Sequence, residues 1–318
     1  MKNTNEITEN LYRINDYRRC HVNKRAKENP KKYLDEWERR YESVLKYIAK
    51  NAVDNDDIRI LLLAGPSSSG KTTTAHKIAE QVEAFGEKAF VISGDDFYLS
   101  KKDIPLLPNG NPDFENIESL DLKLLKKCLS EIAERGETMI PHYDMATEKR
   151  IIDAEKITLS NKGVVIVEGL HCLNPIISGM IPGENCYKIY ISVMSNFTDD
   201  DRNIILSKKD IRFLRRMVRD YTFRNSSVEF TFKLWDDVCK GEKLYIDPYI
   251  ELADIYINSA SPLDPCVLKE KAESLLKTVQ PEAAHYEKCV YLKNQLDKFR
   301  EVSADNVWEK SVLREFIG

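Results

Sequence analysis

The eight residues Gly65-Pro66-Ser67-Ser68-Ser69-Gly70-Lys71-Thr72 match the spacing G-x-x-x-x-G-K-[ST], the pattern of a phosphate-binding loop. The glycines let the chain curl, so that successive N–H groups and the positive end of the following helix converge on phosphate oxygens. Lys71 is placed to reach the β- and γ-phosphates of a nucleoside triphosphate, and the Thr72 hydroxyl to ligate Mg²⁺. Thr73, which opens the helix beyond, is counted with Gly65 to Thr72 among the ATP-binding residues, as is Arg216. A Gly/Ser-rich turn with a chance lysine is the plain alternative, and the flanks argue against it. Residues 58–64 form a near-continuous apolar run, as in a parallel strand covered on both faces, and 73–85 read as a helix.

Phosphoryl transfer demands positioning and neutralisation of charge, and the chain offers the parts in order. A second strand, 88–93, delivers Gly94-Asp95-Asp96-Phe97-Tyr98. Asp95 is the candidate base for an attacking hydroxyl and also faces Mg²⁺; Asp96 suits a cap of the turn that follows. A third apolar strand, 164–169, carries Glu168 near its carboxyl end, where ligands of open α/β sheets gather, so Glu168 is a candidate holder of a metal-bound water. Between Arg202 and Arg224 stand eight Lys/Arg against two Asp. This run, about 202–228, is read as a phosphate-clamping lid that includes Arg216 and Arg219; a helix with a solvated basic face is the alternative. His171 and Cys172 invite a metal reading, but such a lone pair is more commonly core or loop.

These residues require an α/β framework. Further strands are expected at 187–193 and 253–258, a long Pro/Asn/Gly-rich loop at 99–118, and a helix over 120–135 with Ser119 as its N-cap. Residues 139–160 read as a β-hairpin flap outside the main sheet. An amphipathic helix packed on the kinase-like core is expected over 30–50, and residues 262–318 read as two more helices (265–279 and 283–299) and a polar tail, with no chemistry assigned to them. The organisation is thus an N-terminal helical extension (1–57), a kinase-like domain (58–260) and a C-terminal helical extension (261–318).

Composition sets the outer bounds. Of 318 residues, 42% are hydrophobic and 31% charged, with a net charge of −4, which argues against a dedicated nucleic-acid binder. Seven scattered cysteines without a C-x-x-C pair point to neither disulfides nor zinc, as in a reducing cytoplasm. No run approaches the ~18 apolar residues of a membrane span, and the polar start lacks a signal peptide's hydrophobic centre.

In order, the phosphate loop, Ser93-Gly94-Asp95-Asp96-Phe97-Tyr98, Ile140-Pro141-His142-Tyr143-Asp144, Val167-Glu168-Gly169-Leu170 and Arg215-Arg216-Met217-Val218-Arg219-Asp220 resemble the motifs of the uridine kinase branch of the phosphoribulokinase/uridine kinase family. The likeness spans roughly 58–260. It implies a P-loop NTPase fold, three α/β/α layers around a five-stranded parallel sheet, and ATP-dependent phosphorylation of a nucleoside 5′-hydroxyl with Mg²⁺. By this resemblance Asp95 is the base, Tyr98 and Tyr143 line the nucleoside pocket, Glu115 stands where an aspartate binds the ribose hydroxyls, and Arg219 and Arg224 are lid arginines. Departures fall on the base contacts: Glu148 replaces a histidine, Met145 an aromatic, and Arg224-Asn225-Ser226 an Arg-Gly-Arg. The N-terminal helix and the ending Leu313-Arg314-Glu315-Phe316-Ile317-Gly318 resemble those of longer bacterial nucleoside kinases. A pentose-phosphate or pantothenate kinase, or a non-catalytic nucleotide-binding module, is the alternative reading. A GTPase is disfavoured because Asn161-Lys162-Gly163-Val164 lacks the acid of its guanine-reading element. The expected partners are ATP and a small acceptor, with no nucleic acid and no membrane; a homo-oligomer is left open.

Overall fold

The computed structural model describes residues 15–318 apart from 109, 145, 146, 148, 161 and 182. Along the chain run α1 (Arg19–Glu28), α2 (Pro30–Asp54), β1 (Ile60–Ala64), α3 (Lys71–Ala84), β2 (Ala89–Ser93), α4 (Leu122–Arg135), β3 (Glu137–Asp144), β4 (Lys149–Thr158) and β5 (Val164–Gly169). Then follow β6 (Cys186–Ser192), α5 (Lys208–Arg224), α6 (Val228–Tyr245), β7 (Ile255–Asn258), α7 (Asp264–Leu276) and α8 (Tyr286–Leu296).

All of β1 and β5 is buried, as their unbroken apolar runs require. Strand β1 pairs in parallel with β5 on one side and β6 on the other, while β2 and β7 complete the edges. The order β2-β5-β1-β6-β7 puts the phosphate-loop strand at the centre, where the strand order reverses and ligands gather. The fold is therefore α/β, with a five-stranded all-parallel core sheet as expected.

One sheet face packs Leu61, Leu63, Ile166 and Ile189 against Tyr41, Leu45 and Ile48 of α2 and Ile78 of α3. The other packs Ile60, Leu62, Val165 and Val167 against Leu125, Leu129 and Ile132 of α4. Helix α2 thus covers the central sheet directly, starting at Pro30 after Asn29, whose side chain accepts from the Lys32 N–H. A third cluster joins α1, α5, α6, α7 and α8. Among the described residues, α2 packs on the core sheet as expected of the N-terminal helix, and α7 and α8 pack with α5 and α6 in the third cluster.

The hairpin β3/β4 is antiparallel and separate from the main sheet, as expected of the flap. Two local expectations differ. Helix α4 begins at Leu122 with Asp121 as cap, its carboxylate accepting from the Leu124 N–H at 3.0 Å. Ser119 sits in the preceding 3₁₀ turn and donates to the Asp113 carbonyl at 2.6 Å, because Leu120 is held extended by bridging to Tyr98. Helix α6, capped by Ser227, has no counterpart among the sequence-predicted elements.

Candidate active site

The phosphate loop leaves β1 through a turn that only glycine fits: a Cβ at Gly65 would stand 2.1 Å from the Ile191 carbonyl oxygen. Gly70, at φ +88°, lies in the left-handed region, which frees the first N–H groups of α3 to point into the loop. Lys71 Nζ folds back to the Pro66 carbonyl at 3.3 Å. The Ser68 and Ser69 hydroxyls are buried without a hydrogen-bond partner among the described residues. Buried polar atoms of that kind call for a partner, which bound water or a ligand can supply.

Around this loop lies a cavity of about 190 Å³, lined by Ser67 to Thr72 together with Asp95, Tyr98, Glu115, Glu168, Arg216, Arg219 and Arg224. Most of the residues singled out in the sequence therefore meet in one place. Strand β2 ends in a 3₁₀ turn capped by Ser93, whose Oγ accepts from the Asp95 N–H. Asp95 opens to solvent at the cavity mouth, yet protein crowds its other sides. That crowding pushes its carboxyl up; Lys71 opposes the shift and Asp96 adds to it. Asp96 is not a cap. Its Oδ1 accepts from His142 Nδ1 and from the Tyr143 N–H, each at 3.0 Å, tying the flap to the turn.

Glu168 Oε1 accepts from the Thr72 hydroxyl at 3.1 Å and from Ser93 Oγ at 3.2 Å. Burial pushes the Glu168 carboxyl up, against Lys71. Thr72, Glu168 and Asp95 supply hard oxygen donors to the same cavity, which suits Mg²⁺, a cation that takes few protein ligands and keeps water and phosphate for the rest. No cluster of three metal-ligating side chains occurs among the described residues. His171 is buried against the Tyr245 ring, and burial lowers its pKa to about 4, so it stays neutral. The Cys172 thiol donates to the Val167 carbonyl at 3.4 Å.

The basic run divides in two. Arg212 forks onto Glu242 and donates to the Ser67 carbonyl at 3.0 Å, and Arg215, fully buried, forks onto Asp264. These two fasten α5 to the fold. Arg216, Arg219 and Arg224 face the cavity, and buried Asp220 meets all three at 3.2, 2.7 and 3.6 Å. Arg216 also donates to Ser67 Oγ at 2.8 Å. Lys208 and Lys209 remain exposed, the solvated part of the run.

A second cavity of about 380 Å³ adjoins the first and shares Glu115 and Arg216 with it. Phe114, Phe230 and Leu234 give it apolar walls; Lys101, Lys233 and Asp237 supply polar groups. Burial raises the Glu115 carboxyl to about 7, against the pull of Arg216. Glu115 fits there because α6 carries Gly241, where a Cβ would stand 2.5 Å from the Glu115 Cβ. Tyr98 lines the first cavity, its hydroxyl donating to the Phe114 carbonyl at 2.8 Å. Tyr143 is buried behind Tyr98, ring centroids 6.1 Å apart, and is not among the described lining residues of either cavity. Glu148 and Met145 lie outside the described residues.

Sequence reasoning missed Phe230, Lys233 and Asp237 of α6, the hub role of Asp220, and Glu315. The Glu315 carboxylate reaches the phosphate-loop cavity from a segment expected to carry no chemistry. For α6, the one local signal was Ser227 ahead of an amphipathic run; Glu315 left none.

Among known proteins, the chain is 27% identical to a uridine kinase of Lactobacillus helveticus over 221 residues, 68% of this chain and 95% of that one. It is 28% identical to a uridine kinase of Borrelia hermsii over 230 residues, 72% and 99% of the respective chains. Solved structures similar to it include a possible uridine kinase from Bacillus stearothermophilus (TM-score 0.43, 16% identity, covering 63% of this chain and 88% of that one). Another is phosphoribulokinase from Rhodobacter spheroides (TM-score 0.44, 18% identity, covering 65% and 74%). No described helix is long and apolar enough to cross a membrane. The model of the phosphoribulokinase/uridine kinase family matches residues 60–264, from the first core strand to the start of α7, and the chain belongs to that family of kinases.

Proposed function

We propose that this protein is an ATP-dependent nucleoside kinase, carrying the γ-phosphoryl group of ATP to the 5′-hydroxyl of a nucleoside. The observation that carries this reading is the pair of adjoining cavities, one lined by the phosphate loop and arginines, the other by aromatic and apolar walls, with Glu115 and Arg216 at their junction. The second cavity, at about 380 Å³, lies in the ~300–1,000 Å³ range of small-ligand sites. Relatives named uridine kinase support a nucleoside acceptor.

In this mechanism the loop N–H groups and Lys71 hold the triphosphate, and Thr72, Glu168 and Asp95 are the residues that would hold Mg²⁺. The cation, when bound, would supply neutralisation of phosphate charge. Asp95 takes the proton of the attacking hydroxyl as its oxygen bonds to the γ-phosphorus and the bond to the β-phosphate oxygen breaks, releasing ADP. Crowding that raises the Asp95 pKa makes it a stronger base, and the Lys71 charge opposes that rise. Arg216, Arg219 and Arg224 neutralise the charge on the transferring group. Glu115 accepts from the ribose diol, and the ring lies between Phe114 and Phe230.

The test is a coupled assay of ADP release across ribonucleosides, pentose phosphates and pantothenate, with Lys71→Ala as control. Turnover with nucleosides that falls by at least 10²-fold in the control is the expected result. Turnover confined to a pentose phosphate or pantothenate would replace the nucleoside, and none with any acceptor would leave a nucleotide-binding module.

A further inference from the structure

The α3 N-terminus already carries an anion. Glu315 Oε2 accepts from the Thr73 hydroxyl at 2.8 Å and from the Thr73 N–H at 3.4 Å, both on the first helical turn. That is where unpaired N–H groups and the helix dipole favour negative charge, and where a triphosphate on this loop would lay its phosphates. The same carboxylate lines the cavity together with Lys71, Arg216, Arg219 and Arg224.

The segment presenting Glu315 is built in. Val312, Leu313 and Phe316 are buried, and a Cβ at Gly70 would stand 2.5 Å from Val312 Cγ2, so this segment touches the phosphate loop itself. Phe316 lies under the buried Arg215 guanidinium at 4.8 Å, and Lys271 donates to the Ile317 carbonyl. With its neighbours held in this way, release of the contact calls for rotation of the Glu315 side chain rather than movement of the segment.

We propose that Glu315 is an internal competitor for the phosphate site: its carboxylate holds the Thr73 donors in the free protein, and a nucleotide binds by displacing it. Two anions cannot share those donors without repulsion, so each binding event includes release of this contact. Glu315 thereby sets an upper bound on nucleotide affinity, and it comes from beyond the family-matched residues 60–264. The inference rests on reading the loop as the nucleotide site.

Calorimetric binding of Mg–ATP, tripolyphosphate and adenosine to the intact protein, Glu315→Gln and Glu315→Ala tests it. Losing one charge-assisted contact should tighten Mg–ATP and tripolyphosphate about tenfold in the Ala variant and by a smaller factor in Gln, which still accepts a hydrogen bond. Adenosine, without phosphate, should bind all three alike. Unchanged or weaker polyphosphate binding in the variants overturns the proposal, as does equal tightening of adenosine. Gln matches Glu in shape and decides the matter if the Ala variant does not fold. Failure of every acceptor in the ADP-release assay would remove the nucleoside kinase reading and leave these binding constants interpretable.

Discussion

Asp95 and Asp96 are adjacent and chemically identical, yet the fold gives them opposite work. Asp95 faces the phosphate loop, whereas Asp96 is occupied by His142 and the Tyr143 amide. Asp95→Asn is expected to lower kcat by roughly 10²–10⁴-fold with little change in ATP affinity. Asp96→Asn should mainly raise KM for the acceptor, because it loosens the flap. The pH profile distinguishes them further. With Asp95 as the proposed base, activity would need its ionised form, and because its pKa is raised, kcat/KM should fall as pH drops through a midpoint above the ordinary carboxylate value. Removing the Asp96 charge should move that midpoint down, and an unmoved midpoint would exclude Asp95 as the titrating base. Asp220 is a second residue whose role depends on neighbours, since three guanidiniums converge on it. Asp220→Asn should raise KM for ATP about tenfold, with partial rescue by Asp220→Glu. An unchanged KM would make that cluster incidental. The phosphate loop, Asp95 and Glu168 were legible because each role is set by a strand end and a short fixed spacing. Asp220 was not, because its meaning lies in side chains one turn away on each side and in the cavity they face.

At the scale of elements, α5 shows why a count of charges misleads. Its arginines look alike in the sequence, but the helix packs Ile211, Leu214, Met217 and Val218 into the core and carries Arg212 and Arg215 in with them. Arg215→Met strands Asp264, a fully buried carboxylate, and should cost about 3–5 kcal/mol in denaturant unfolding. Arg219→Ala should leave stability nearly unchanged and lower kcat instead. Equal loss of stability in both would mean that the helix does not divide in this way. The same packing narrows the lid: ligand-dependent hydrogen-exchange protection is expected from Arg219 through Ser226, while the buried body of α5 stays protected throughout. The strands were readable as apolar runs and the hairpin from its alternating pattern. The start of α4 was not, because Ser119 and Asp121 are both good caps and only the Tyr98–Leu120 bridge decides between them.

At the scale of the whole molecule, α2 and the segment after α8 both close on α3, the helix that carries the phosphate loop. The packing of α2 was legible from its amphipathic pattern; that of the last segment was not, since Glu315 lies 242 positions from Thr73. Lys77 of α3 marks the junction: it meets Glu42 at 3.2 Å and Glu38 at 4.0 Å, with the Trp308 ring 4.6 Å away. Burial raises the Glu38 carboxyl from its usual 4.5 to about 7, although Ser311 and Lys77 pull the other way. An acid whose pKa is higher in the fold than in the unfolded chain stabilises the fold in its protonated form. That contribution is complete below about pH 4.5 and is lost as pH rises through about 7. Glu38→Gln keeps the shape and removes the titration, so its stability relative to the native protein should improve with pH, by up to about 3 kcal/mol between pH 4.5 and 8. Urea unfolding of both proteins at those two pH values measures the gap. A gap that does not change with pH would mean that Glu38 is ionised throughout and that Lys77, rather than burial, governs the place where the N-terminal helix meets the phosphate-loop helix.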